Sequence, residues 1–258
     1  MTATALRRSG PAELSLAALV LGLAAAAWVL TVNRMAGMDA GPGTALGGVG
    51  WFAVSWLVMM AAMMLPAMVP MVVAYGRRAD RASATALFVA GYLGAWLAAG
   101  LAAYAVIEGV RSLGPGFLAW DLAGRYLAAG VIAAAGIYQL TAFKFACLRR
   151  CRNRVTFLRE HWRPGGAGAV RMGLGHGGYC VGSTWAIMAA LFALGAMSLT
   201  WMAVLAALVA AERLLSRSAR LGVALVLVPL GAGVAVAPAD VPGLTVPGAS
   251  PMPTMQMP

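Results

Sequence analysis

The sequence predicts an all-α membrane protein: a polytopic bundle of about seven transmembrane helices, with an amphipathic helix on the cytoplasmic surface. Three observations carry that class. Of the 258 residues, 62% are hydrophobic and only 10% are charged, whereas soluble domains carry about 25% charged residues. The apolar residues come in continuous stretches, and a helix needs roughly 20 of them to cross a bilayer. The alternation of a transmembrane barrel is missing from them. Finally, sixteen of the nineteen Lys and Arg residues fall in alternate connections, as the positive-inside rule requires of cytoplasmic loops.

The expected spans are residues 14–32, 50–75, 84–108, 126–146, 174–195, 198–214 and 219–237. Arg7 and Arg8 precede the first, and no small-residue cleavage site follows it, so it reads as a retained helix. Arg77, Arg78 and Arg81 follow the second span, eight basic residues lie between Lys144 and Arg171, and Arg213, Arg217 and Arg220 follow the sixth. This places the N-terminus in the cytoplasm and the C-terminus outside. Residues 1–238 form one transmembrane domain, and residues 239–258 a Pro- and Met-rich tail too poor in apolar and charged groups to fold.

The same pattern excludes several functions. The net charge of +11 belongs to membrane loops, so nucleic acid is not a partner. Three cysteines make no disulfide framework. There is no phosphate-binding glycine motif. Paired intramembrane carboxylates and a nucleophile with its base are absent from the sequence, so no enzyme is expected.

The second span carries the densest pattern, Trp56–Tyr75, WLVMMAAMMLPAMVPMVVAY. Met60, Met64, Met68 and Met71 recur at helical spacing and form one stripe, with Met59 and Met63 beside it. Methionine is first of all an adaptable packing residue. A stripe of thioethers is also a set of soft ligands suited to Cu(I). Pro66 and Pro70 each remove a backbone donor, which predicts a kink or break between Leu65 and Met71. In the fourth span, Gln139 is expected to bond to a neighbouring helix, and Lys144 to snorkel to the headgroups.

The segment Cys147–Trp162 follows. Cys147, Cys151, Val155, Leu158 and Trp162 recur every three or four residues, and Arg149, Arg150, Arg152, Arg154 and Arg159 cover the other face. This predicts one amphipathic helix on the cytoplasmic surface with both cysteines on its membrane-facing side. Small buried hydrophobes would show the same spacing.

The fifth span opens with Gly173, Gly175, Gly177 and Gly178 around His176, followed by Cys180. His176 and Cys180 are four residues apart and share a helix face. The topology brings them to the depth of Cys147 and Cys151. Together the four would form a soft ligand set for Cu(I), or a tetrahedral one for Zn²⁺. The glycines either cradle an anion at a helix start or, as in the pair Gly178 and Gly182, allow close helix packing. Glu212, at the end of the sixth span, is expected to pair with a nearby Lys or Arg. Outside the membrane, Met35, Met38, Met252, Met255 and Met257 could capture Cu(I).

Across Trp51–Leu215 the chain resembles an uncharacterised bacterial family described as predicted metal-binding integral membrane proteins. The resemblance is carried by Met63-Met64-Leu65-Pro66, Tyr138-Gln139, Lys144, Cys147, Cys151-Arg152, His176-Gly177, Tyr179-Cys180, Gly182, Trp185, Met188, Phe192, Gly195, Met197, Trp201-Met202 and Glu212. It implies a metal role, with copper handling the form suggested, and a place in the bacterial inner membrane. The family often carries a cysteine pair where this chain has Ser183 and Thr184, so two soft ligands would be missing here.

These features together predict a membrane protein that takes Cu(I), moves or holds it along Met60, Met64, Met68 and Met71, and ends at Cys147, Cys151, His176 and Cys180. Its partners would be lipid, the metal ion, and a membrane copper enzyme or copper chaperone. The alternative is a metal-free structural or assembly subunit of a larger membrane complex.

Overall fold

The computed structural model describes residues 10–35, 46–79, 81–112, 120–195, 198–214, 218–242 and 244. Met38, Met252, Met255, Met257 and nearly all of the expected tail lie outside the described residues. Within them the chain is helical throughout: α1 (Pro11–Met35), α2 (Val49–Gly76), α3 (Ala82–Ser112), α4 (Arg125–Tyr138), α5 (Ala142–Arg152), α6 (Arg154–His161), α7 (Gly165–Gly195), α8 (Leu199–Leu214) and α9 (Ser218–Val236). A π-helical turn, Trp120–Gly124, leads into α4.

Four of these helices, α1, α2, α3 and α7, are long and apolar enough to cross a bilayer, not the seven expected. A fifth crossing arises if α4 and α5, bent by 64° at the break between them, count as one span. The shortfall is one of length. The 16 residues of α8 span roughly 24 Å at 1.5 Å per residue, against a hydrocarbon core of about 30 Å. The apolar part of α9 is Leu221–Val236. The outward faces are nonetheless apolar: Leu14, Leu19, Leu21, Leu23, Val29 and Leu30 on α1 and Leu221, Leu225, Val226 and Val228 on α9 are exposed. In water such faces would be a liability; against lipid they need no cover.

The bundle is built around α2, α3 and α7. Helix α1 packs on α2, α2 on α3, α3 along α7, and α4 along α9, while α4, α5 and α8 also close on α7. Glycine decides the α3–α7 contact. A Cβ on Gly173 would come 2.1 Å from the Phe88 carbonyl oxygen, and one on Gly177 would come 2.9 Å from the Tyr92 carbonyl oxygen. The two backbones therefore touch, as small residues allow in membranes. This corrects the reading of the glycines around His176. They are not at a helix start, because α7 begins at Gly165. The packing pair is Gly173 and Gly177; Gly178 faces open space.

Helix α2 runs unbroken from Val49 to Gly76 with Pro66 and Pro70 inside it, so of the expected kink or break the break is absent. Neighbours on several sides, α1, α3 and α8, hold it as a helix. Arg154 Nη1 donates to the Pro70 carbonyl at 3.2 Å.

The surface helix expected over Cys147–Trp162 is two helices. Asn153 ends α5, with its N–H donating to the Arg149 carbonyl at 3.0 Å. It also starts α6, its side-chain oxygen accepting from Thr156 N–H at 3.2 Å. Asparagine is suited to such a cap. The turn changes which residues face inward: Phe157 and Leu158 are buried, while Val155 is exposed. Arg78 sits over the Trp162 ring, 4.4 Å from its centroid, and pins this segment to the end of α2.

Candidate functional site

All three cysteines are free and buried. Cys180 is fully enclosed at 0% exposure, and its sulfur has two polar partners from other helices. The Tyr92 hydroxyl of α3 is 3.0 Å away, and Arg213 Nη2 of α8 donates to it at 2.7 Å. The hairpin geometry explains the second contact. Helix α7 ends at Gly195, which takes φ = 114°, a conformation open to glycine. Helix α8 then returns beside α7 and brings its last turn back to the level of Cys180.

From α5, Cys151 joins this junction, with Arg213, Cys180, Ser183 and Cys147 as its polar neighbours. Cys147 lies one turn earlier against α7, where a Cβ on Gly182 would come 2.9 Å from its sulfur. The absence of a side chain at Gly182 is what lets α5 approach there. Tyr138 adds a tie, its hydroxyl donating to the Gly182 carbonyl at 2.5 Å.

Ser183 and Thr184 are both buried. Their hydroxyls donate back to the Cys180 carbonyl at 2.8 and 2.7 Å. In place of soft ligands, these positions supply internal hydrogen bonds that satisfy two hydroxyls within the helix itself.

His176 shares a helix face with Cys180, as expected from their spacing. Its ring is enclosed by Phe88, Tyr92 and Phe157, with centroids 6.2, 5.9 and 5.2 Å away, and Arg213 is its charged neighbour. Its Nδ1 is buried with no hydrogen-bond partner. His176 and Cys180 lie roughly 16 and 22 Å along α7 from its first residue, at 1.5 Å per residue, deeper in the helix than the sequence reading placed them.

The expected set of three or four converging metal ligands does not stand ready-made: among the described residues no three His, Cys, Asp or Glu side chains are grouped so as to hold an ion. A tetrahedral zinc site needs four ligands, so nothing in the fold favours zinc. What the structure does bring together is Cys151, Cys180 and Arg213, with His176 one turn away.

Met60, Met64, Met68 and Met71 are all buried along α2, as are Met59 and Met63. The stripe faces the interior of the bundle, where it packs and where soft ligands would also have to be.

Three residues that spacing alone did not single out complete the site. Arg213 and Tyr92 hold the Cys180 sulfur. Lys144 does not snorkel: it is completely buried, with Nζ 2.7 and 2.8 Å from the two carboxylate oxygens of Glu212 and donating also to Gln139 Oε1. Desolvation would forbid a lone ammonium here, so the ion pair is what allows its burial. The available signal was that charged residues within apolar segments are expensive and seek partners, which applied to Arg213 as much as to Lys144.

A family model, PpoB2, described as a copper chaperone, matches residues 53–236, from early α2 to the end of α9, and so takes in every residue of this site. No curated protein and no solved structure matches the chain.

Proposed function

The chain belongs to the PpoB2 copper chaperone family, and from that premise we propose that it is a membrane-embedded chaperone whose cargo is Cu(I). The observation that carries this reading is the enclosed sulfur of Cys180, with Cys151 beside it and Arg213 donating to it. Thiolate sulfur is the donor type that selects Cu(I), and burial shields a thiol-bound ion from oxidants and competing ligands.

In this reading Cys151 and Cys180 hold the ion. Cys147 and the unpartnered Nδ1 of His176 are reserve ligands for its arrival or departure. Met60, Met64, Met68 and Met71 form a run of weaker thioether ligands along α2, along which an ion moves without meeting water. In this reading the basic connections and the N-terminus lie on the cytoplasmic side of a bacterial inner membrane, and the C-terminus lies outside. The recipient is a membrane copper enzyme or a second copper carrier.

The test is copper content. Full-length protein expressed with copper under reducing conditions should retain Cu(I) through purification in detergent, and Cys180→Ser and Cys151→Ser should not. If the wild type carries no copper, or if Cys180→Ser carries as much, the reading fails and a structural role in a larger membrane complex takes its place.

A further inference from the structure

We infer that Arg213 is a fixed counter-cation that makes the cysteine junction selective for monovalent soft cations, Cu(I) and its mimic Ag(I), over divalent Zn(II) and Cd(II). This rests on the copper reading above and adds to it the basis of discrimination.

A guanidinium carries its charge at any working pH, so Arg213 places a fixed positive charge beside the Cys180 sulfur. The groups that face it are Cys180, Cys151, Tyr92 and His176. The adjacent Glu212 directs both carboxylate oxygens to Lys144. Arg213 Nη2 touches the Cys180 sulfur, while its Nε is buried with no hydrogen-bond partner. A cation is therefore built into the junction, and two buried nitrogens, Arg213 Nε and His176 Nδ1, are left unsatisfied around it.

Charge balance then decides which ion fits. Two thiolates contribute −2, one Cu(I) contributes +1, and the guanidinium contributes +1, so the loaded junction is neutral. A divalent ion in the same place leaves one uncompensated positive charge, which a buried site penalises heavily. Loading forms two sulfur–metal bonds, at Cys151 and Cys180. Any proton held by those sulfurs leaves to water, and no electron is transferred because copper enters as Cu(I). Two sulfurs suffice for a monovalent soft ion.

The experiment is equilibrium dialysis of the full-length protein in detergent against Ag(I) and Cd(II), with bound metal measured in the wild type, Arg213→Lys, Arg213→Gln and Cys180→Ser. The wild type should prefer Ag(I), and Arg213→Lys, which keeps the charge, should retain that preference. Arg213→Gln should lower the ratio of Ag(I) to Cd(II) affinity by about 10–100-fold, the range seen when a partner of a metal ligand is removed. A wild type that binds Cd(II) as tightly as Ag(I) overturns the inference, and this arm needs no variant to fold. An unchanged ratio in folded Arg213→Gln also overturns it. If Cys180→Ser loses Ag(I) while the ratio ignores Arg213, the copper reading stands and only the counter-cation role falls. If Cys180→Ser binds Ag(I) like the wild type, the copper reading itself falls.

Discussion

Lys144 Nζ lies 2.7 and 2.8 Å from the two carboxylate oxygens of Glu212, and both side chains are buried. Glu212 and Arg213 are consecutive on α8, yet one ties α8 to α5 through Lys144 and the other ties it to α7 through Cys180. The last turn of a short helix thus joins the two elements that carry all three cysteines. The Lys144–Glu212 pair is a positioning device: it fixes α5 where Cys151 meets Arg213.

Breaking that pair should therefore affect both stability and the site. Lys144→Met removes the ammonium that both Glu212 carboxylate oxygens face and should cost about 3–5 kcal/mol. The double variant Lys144→Met/Glu212→Leu should recover much of the loss, because removing both charges removes the desolvation penalty. Thermal unfolding in detergent of the two single variants and the double one measures this. A double variant no more stable than Lys144→Met would show that the pair is not the source of the cost.

The α3–α7 interface should tolerate no side chain at Gly173 or Gly177. Either glycine changed to Ala puts a methyl group into backbone or side-chain atoms of α3 less than 3.0 Å away. Overpacking of this kind costs about 1–3 kcal/mol or more. Gly175→Ala and Gly178→Ala, where nothing lies within 4 Å of the added carbon, should behave like the wild type. Melting temperatures of the four variants give the comparison. Equal melting temperatures would mean that α3 and α7 are not in backbone contact.

Ser183 stands beside Cys151 and bonds to the Cys180 carbonyl. Ser183→Cys should place a third soft ligand at the junction and raise Cu(I) affinity by about tenfold or more, the scale on which changes around metal ligands act. Competition against a Cu(I)-selective chelator reads the change. Affinity equal to that of the wild type would mean that position 183 does not face the bound ion.

Packing and ligation can be separated along α2. Leu for Met is a near volume-conserving exchange, so Met64→Leu and Met68→Leu should each change stability by less than about 1.5 kcal/mol. A role in passing copper predicts that the double variant accumulates or transfers copper more slowly while still binding it at Cys180. Copper uptake into cells expressing each form, beside the copper content of the purified protein, makes the distinction. Undiminished transfer would leave the stripe with packing alone.

The sequence by itself determined that this chain is helical and apolar, which residues carry sulfur or imidazole donors, and that His176 and Cys180 share a face. Those properties are local: composition sets the solvent, and helical spacing sets the face. That Met60, Met64, Met68 and Met71 form one stripe is local too, whereas its inward turn is set by α1, α3 and α8 packing around α2.

Tertiary structure decided the rest. Where α7 begins, how Asn153 divides the segment Cys147–Trp162, and that α2 survives two prolines depend on neighbours that spacing does not reveal. That Lys144 is buried rather than snorkelling depends on Glu212, a residue 68 positions away. That Arg213 reaches Cys180, 33 positions earlier, depends on the hairpin at Gly195 and on α3 lying close enough for Tyr92 to complete the enclosure. Charge pairing in a membrane bundle is a long-range property, because a buried ion must find its counter-charge wherever the packing of helices supplies one.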